Sequence, residues 1–347
     1  MSPTRVLVIG GYGFLGATIA HAFTQAGWHV SRGSRSPHTS DALHVDLGEP
    51  DTVRRAAATM DLIVNTVPDT DFVAEKSVLR DGGLLLNVAT VDQRALRDFR
   101  DHANQNAGPG TVVVNAGLAP GITNLVVGDL LRQYPHADGL EIAMALQTTG
   151  MSGKNGVRFV HENLSTATKD GIRVRHHTTS CIPLPEPFGI RNCFGFAEGQ
   201  DGWLLGAAGN RALHTYGYID NPLVHSAILA LNTLRLLPLL PRTPLLWGHS
   251  VRPAAETTEP VAHWLAVLHD GSRIAARTVR CSGDYLHTAT ATVLTAEALL
   301  ESRPTRTGGC FGVEEVLTLN DIEEKLRDNG ITIDNEPTPH PSSTSGS

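Results

Sequence analysis

Only four cysteines occur in the 347 residues, Cys181, Cys193, Cys281 and Cys310, and no pair of them has the spacing of metal ligands. No zinc site is suggested, and the reduced thiols of a cytoplasmic protein are expected. Basic runs are missing as well, and the formal net charge is -7, so nucleic acid is not an expected partner. The chain opens without the charged, then apolar, then small-residue order of a signal peptide, and no apolar stretch is long enough to span a membrane. Residues 231–246 come nearest, but prolines and arginines interrupt them. Internal repeats are absent too. Within these exclusions, 41% hydrophobic and 18% charged residues describe a soluble globular protein, long enough for two domains that share a cleft.

What is present begins at residue 5. Arg5-Val6-Leu7-Val8-Ile9 has the apolar content of a buried strand and runs straight into Gly10, Gly11, Tyr12, Gly13, Phe14, Leu15 and Gly16. Gly11, Gly13 and Gly16 fit G-x-G-x-x-G, while Gly10, Gly13 and Gly16 fit G-x-x-G-x-x-G. In either pattern one glycine makes the tight turn, one lets the backbone approach a pyrophosphate, and one lets helix and strand pack closely. A helix pattern comes next over residues 14–26, so the N–H groups of its first turn face the anion. This context of strand before and helix after points to a dinucleotide site rather than a plain glycine turn.

Strand and helix signals then alternate with the spacing of βαβ units. Strands are expected at 29–31, 43–45, 61–65, 84–87 and 111–115, with helices at 49–59, 71–79 and 92–106. Near-continuous apolar runs mean burial on both faces, so the expected fold is α/β, a Rossmann-type doubly wound parallel sheet. A helix over 122–133 leaves this domain. Beyond it the rhythm changes to strand-like alternation (157–160, 172–176), a helix over 221–237 with Asn221 as its cap before Pro222, strands at 263–268 and 275–281, and a helix over 284–301. That mixture predicts a second, α+β domain for substrate and dimerisation. The last residues, 336–347, are rich in Pro, Ser and Thr and are expected to be a disordered tail.

The cofactor's phosphorylation state is read at the end of the second strand. An acid there accepts hydrogen bonds from the adenosine ribose of NAD, but the segment Val30-Ser31-Arg32-Gly33-Ser34-Arg35-Ser36 contains none. Arg32 and Arg35 can grip a 2′-phosphate, with Ser34 as a hydroxyl donor. NADPH is the expected cofactor.

The Tyr-x-x-x-Lys pair of short-chain dehydrogenases is absent, since none of Tyr12, Tyr134, Tyr216, Tyr218 and Tyr285 has a lysine four residues on. Neither a nucleophile elbow nor a zinc signature occurs. Present instead is Asn115-Ala116-Gly117-Leu118-Ala119-Pro120-Gly121 followed by Ile122-Thr123-Asn124-Leu125. This loop resembles the A-G-x-x-P-G segment of the saccharopine dehydrogenase family. Asn65-Thr66-Val67-Pro68 is similar to that family's N-x-x-P turn, while Asn87-Val88-Ala89 departs from it where many members carry Asp. Tyr285-Leu286-His287-Thr288-Ala289 resembles its Tyr-x-x-Thr-Ala opening of a returning helix, and Gly312-Val313-Glu314-Glu315 its terminal signature.

The resemblance implies a discontinuous cofactor domain (1–123 plus 284–335) around a substrate and dimerisation domain (124–283), and a homodimer. It also implies an NADP-dependent oxidoreductase acting on a small molecule in amine or secondary metabolism. Its hydride would go to a C=N bond, in imine reduction or the reverse oxidation of a secondary amine. Reduction of a C=O or activated C=C bond is the alternative enzyme, and a non-catalytic NADP(H) sensor the alternative that is not one. Asn65, Thr66, Pro68, Ala116, Gly117, Leu118 and Gly121 are expected to border the nicotinamide. For proton transfer the chosen residues are His161, because histidine titrates at about 6.5, and Tyr216. Arg158, Arg173, Arg175 and Arg191 are candidates for a substrate carboxylate.

Overall fold

Residues 3–36, 42–89, 93–146, 179–195, 206, 208–209, 211–234, 260–302 and 306–336 are described by the computed structural model. Alternation from residue 5 onward gives strands β1 (Arg5–Ile9), β2 (His29–Ser34), β3 (Ala42–His44), β4 (Leu62–Asn65), β5 (Leu84–Asn87) and β6 (Thr111–Val114). Between and after them lie helices α1 (Phe14–Gln25), α2 (Pro50–Ala57), α3 (Val73–Asp81), α4 (Gln93–Gln105) and α5 (Ile122–Gln133). The strands pair in parallel in the order β6-β5-β4-β1-β2-β3. Period-two alternation sends Val6, Val8, Leu62, Val64 and Val113 to one face, where α1 and α5 add Ile19, Phe23 and Leu125. Leu7, Ile9, Ile63, Leu85 and Val112 go to the other face, against Val53, Phe72, Leu96 and Phe99 of the opposite helical layer. Burial on both faces explains the unbroken apolar runs.

The second half contributes β7 (Gly139–Leu146), β8 (Thr179–Pro183), β9 (Ile190–Gly195), β10 (Ala212–Ile219), α6 (Pro222–Thr233), β11 (Pro260–His269) and β12 (Ser272–Ser282). After these come α7 (Asp284–Ser302), β13 (Gly309–Gly312), the short α8 (Val313–Val316), α9 (Glu323–Asp328) and β14 (Thr332–Glu336). A second seven-stranded sheet has the order β14-β12-β11-β7-β10-β9-β8. Its β10–β7 pair is parallel and the others antiparallel. The architecture is α/β with a doubly wound parallel sheet and a second, mixed sheet. Among the described residues, no helix is long and apolar enough to cross a membrane.

α5 links the two sheets. Its Leu125, Val126, Val127 and Leu130 share one continuous core with Leu140, Ile142 and Met144 of β7 and Val261, Leu265 and Val267 of β11. The chain returns through α7, whose Ala289, Val293 and Ala296 join that core beside α1. β13 then adds in parallel to the far side of β6, while β14 goes back to the second sheet against β12. The helix over 221–237 starts where expected: Asn221 Oδ1 accepts the N–H groups of Leu223 and Val224 at 3.1 and 3.2 Å.

Several boundaries differ from the sequence expectation. β2 continues to Ser34, so Arg32 lies within the strand instead of after it. β6 stops at Val114 because Asn115 turns to a positive φ of 59°. The expected strands at 157–160 and 172–176 lie outside the described residues, as does the tail beyond Glu336.

Candidate functional site

Gly10 leaves β1 with φ 78°, and its carbonyl accepts the Gly13 N–H at 2.8 Å, closing a tight turn. A Cβ on Gly16 would stand 2.1 Å from the Gly10 carbonyl oxygen, and one on Gly10 would stand 2.6 Å from Thr66 Oγ1. Side chains are therefore excluded at both positions by backbone and by the neighbouring strand. The strictest constraints fall on Gly10 and Gly16, the outer glycines of G-x-x-G-x-x-G. α1 begins at Phe14 with Gly13 as its N-cap, which offers no side-chain acceptor, and no acid lies in its first turn. The first-turn N–H groups of Phe14, Leu15 and Gly16 point along the helix axis without an intrahelical partner. Such a cradle fits a pyrophosphate.

Around this turn stand the other residues expected at the cofactor. Arg32 lies beside it, its guanidinium carbon 5.6 Å from the Tyr12 ring centroid, as in a cation–π contact. Ser34 Oγ accepts the Ser36 N–H at 3.2 Å, and Arg35 is exposed at the end of the strand. Tyr12 and Phe14 are both part-exposed, and Phe14 meets Tyr285 of α7 edge-on at 4.7 Å.

At the carboxyl end of β4, Thr66 Oγ1 donates to the Ile9 carbonyl at 2.8 Å and ties that strand to β1. Pro68 is exposed on the loop. Asn65 does not face the crevice. It is fully buried, its Oδ1 accepts the Val67 N–H at 3.0 Å, and its Nδ2 donates to Glu75 Oε1 at 2.8 Å. Asn87, its register partner on β5, repeats the pattern, with Oδ1 accepting from Ala89 and Nδ2 donating to the same Glu75 oxygen at 2.6 Å. One buried carboxyl thus clamps the ends of two central strands. Burial pushes Glu75 above its ordinary value, because an ion without a cation beside it is expensive in the core.

The next strand end carries the 116–121 loop. Ala116, Gly117 and Leu118 are buried. The Ala116 carbonyl accepts Thr292 Oγ1 of α7 at 3.1 Å, and a Cβ on Gly117 would lie 3.2 Å from Thr288 Cγ2. Gly121 has φ 146°, and a Cβ there would stand 1.8 Å from the Gly117 carbonyl oxygen. Its N–H donates to Asn124 Oδ1 at 3.1 Å, which starts α5.

Beyond β6, at the carboxyl end of β13, stand two acids. Glu315 is paired with Arg100 at 2.6 Å and Arg306 at 3.1 Å, and its Oε2 accepts the Gly312 N–H. Among the described residues Glu314 forms no ion pair, although the Arg100 guanidinium is close enough to act on it. Its Oε2 accepts Asn124 Nδ2 at 3.4 Å, and its Oε1 is closed off from solvent with no hydrogen-bond partner among the described residues. Burial, with Glu315 adding a like charge, pushes its carboxyl up to about 8.

No protein-family model and no curated protein matches the sequence. Solved structures do match. Apo histidine-tagged saccharopine dehydrogenase (L-Glu forming) from Saccharomyces cerevisiae is similar over 96% of this chain and 100% of that one, with 13% identity and a TM-score of 0.59. This chain has a fold similar to that of saccharopine dehydrogenase. An engineered D-amino acid dehydrogenase bound to NADP+ aligns over 92% of this chain and 98% of its own, with 13% identity and a TM-score of 0.47.

Within that fold the structure gathers Gly10 to Gly16, Arg32, Ser34, Arg35, Thr66 and Pro68 along one edge of the parallel sheet, with Ala116 and Gly117 at the next strand end. Tyr216 stands elsewhere. It packs with Cys193, Tyr218 and Trp264 on the face of the second sheet turned away from α5, where burial raises its phenol. Arg191, stacked on Tyr218 at 5.5 Å, belongs to that same side. His161, with Arg158, Arg173 and Arg175, lies outside the described residues. Cys181 is exposed, whereas Cys193 is buried and its thiol pushed up to about 12 by desolvation. Sequence reasoning passes over Glu75 and treats Glu314 only as part of a motif. Neither has a local signal, since their partners lie 10 to 12 and 190 residues away.

Proposed function

We propose that the protein is an NADPH-dependent oxidoreductase that transfers hydride to a C=N bond, reducing an imine of an amine and a carbonyl compound or oxidising a secondary amine in reverse. The observation that carries this reading is the glycine turn, with Gly16 set against the Gly10 carbonyl and Ser34 and Arg35 in place of an acid at the end of β2. The α1 N–H groups hold the pyrophosphate, and Arg35 with Arg32 and Ser34 holds the 2′-phosphate. When bound, the reduced nicotinamide supplies the hydride. An activated C=N is already electrophilic, so the chain's main tasks are to orient the partners and exclude water, which is consistent with the absence of Tyr-x-x-x-Lys. The 116–121 loop, part-exposed at Ala119 and Pro120 and supported by Thr288 and Thr292, would border the space for the reacting groups. The likeness of fold to saccharopine dehydrogenase supports the choice of C=N. We further assign the protein to the cytoplasm and a homodimeric state; of the cofactor domain expected at 1–123 and 284–335, the last strand, Thr332–Glu336, joins the second sheet instead.

The test is NADPH oxidation across a panel of primary amines combined with aldehydes, ketones and 2-oxo acids. Turnover that requires both amine and carbonyl supports the proposal. Turnover with the carbonyl or an activated alkene alone replaces it with C=O or C=C reduction, and tight NADPH binding with no oxidation on any combination makes the protein a sensor.

A further inference from the structure

The carboxyl ends of the parallel strands form one edge, and their order assigns positions along it. The adenosine end of a dinucleotide belongs at β2 and its pyrophosphate at β1, so the nicotinamide half extends across β4 and β5 toward β6. β13 continues the sheet past β6 in the same direction, with Gly312 in register with Val114. The residues directly after Gly312 therefore stand at the substrate end of the crevice. They are Val313, Glu314 and Glu315.

The Glu314 carboxyl folds back over the strand end, where a Cβ on Gly312 would meet its two oxygens at 2.6 and 2.7 Å. On its other side is Asn124, the fully buried residue that also holds the Gly121 N–H. Glu314 thus touches the first turn of α5, directly after the 116–121 loop. Its charged surroundings are Glu315 beside it, Arg100 of α4 and Arg306, both committed to Glu315, and Arg132 of α5, which is paired with Asp129 at 3.2 Å. Glu75 resembles Glu314 in having one buried oxygen without a partner. It is fully buried, however, and its other oxygen is shared by two short hydrogen bonds, from Asn65 at 2.8 Å and Asn87 at 2.6 Å. Glu314 accepts a single, longer hydrogen bond, from Asn124 at 3.4 Å on Oε2, while its Oε1 has no partner among the described residues, and burial favours its protonated form.

We propose that Glu314 is the catalytic acid of the crevice, giving its proton to the substrate nitrogen as hydride reaches the adjoining carbon. This rests on the imine-reduction reading. The hydride and its two electrons form the new C–H bond, the C=N π pair moves onto nitrogen and takes the carboxyl proton, and a secondary amine results. Glu314 is left as a carboxylate and regains its proton from water, while the nicotinamide is the species oxidised.

The experiment compares wild type with Glu314→Gln and Glu314→Asp, each first shown to bind NADPH by fluorescence titration. Infrared difference spectra of wild type minus Glu314→Gln, in the absence of cofactor, read the carboxyl directly. A neutral-acid carbonyl band at neutral pH that converts to carboxylate near pH 8 is expected. Glu314→Gln should lower kcat by about 100-fold or more, the usual contribution of a general acid, and remove the alkaline fall of the wild-type profile. Glu314→Asp should restore part of both. An ionised Glu314 at neutral pH, or Glu314→Gln with wild-type kcat and pH profile, overturns the proposal and leaves imine reduction standing. Wild type that binds NADPH but reduces no imine removes both.

Discussion

Replacing Gly16 with alanine puts a methyl carbon 2.1 Å from the Gly10 carbonyl oxygen, 2.7 Å from its carbon and 2.9 Å from Thr66 Oγ1, where ordinary contact starts at 3.4 Å. Two of the three atoms are backbone and cannot swing aside. Helix α1 and the turn must separate by about 1.3 Å to relieve the oxygen contact, since a packed interior has no slack of that size. Overpacking of this kind costs about 1–3 kcal/mol of stability. The same shift moves the Phe14 and Leu15 N–H groups off the pyrophosphate, and a displacement of about 1 Å in a preorganised site is worth about 100-fold. NADPH affinity should therefore fall about 100-fold, equivalent to about 2.8 kcal/mol, together with the melting temperature. Fluorescence titration with NADPH and thermal melting measure the two effects. Gly128→Ala, within α5, is the control, because its nearest neighbours would lie at 3.6 Å; it should leave NADPH affinity unchanged and should not lower the melting temperature, alanine being the better helix former. Gly16→Ala binding NADPH within about threefold of wild type, a difference of less than about 1 kcal/mol, would refute the cradle.

Arg35→Asp puts an acid at the end of β2 and should shift the NADPH-to-NADH efficiency ratio at least tenfold toward NADH, about 1.4 kcal/mol for a lost charge-assisted contact; an unchanged ratio removes Arg35 from the 2′-phosphate. Glu75→Ala leaves two buried amides unpaired and a cavity behind, so urea denaturation should show a loss of about 2–4 kcal/mol, against less than about 1 kcal/mol for Glu75→Gln, whose amide oxygen still accepts from Asn65 and Asn87. Equal losses would mean that the shared acceptor is not what matters. Because Glu75 and Glu314 are raised above the ordinary 4.5, the native state holds protons that the unfolded chain releases, and their contribution falls as pH rises above that value. His263, buried and depressed to about 4, opposes this only below its ordinary 6.5. Stability should therefore decline from pH 6.5 to 8, and Glu314→Gln should flatten the decline; a rise over this window contradicts the assignment.

Local chemistry makes the first half of the chain legible. The expected bounds 84–87 and 122–133 coincide with β5 and α5, because apolar continuity and a proline-glycine start are signals within a dozen residues. β13 escapes the sequence for the opposite reason. Gly309-Cys310-Phe311-Gly312 has too much glycine to read as a strand, and it becomes one because the open edge of β6 supplies its hydrogen bonds. Asn65 reads as a crevice residue since it ends a central strand, but strand-end position does not tell which way an amide is committed.

By itself the sequence determined the strand, glycine turn and helix at its start, because these are contiguous and the closest contact, Gly16 against the Gly10 carbonyl, lies within that turn. It also determined that no acid ends β2. Tertiary structure alone decided where the buried titratable groups lie. Tyr216, attractive by chemistry, is buried on the face of the second sheet turned away from α5, while an added strand, β13, carries Glu314 to the carboxyl end of the parallel sheet beyond β6. A carboxyl's proton affinity depends on the solvent and charges around it, and for Glu314 the first of these, burial, is set by how distant parts of the chain pack around it.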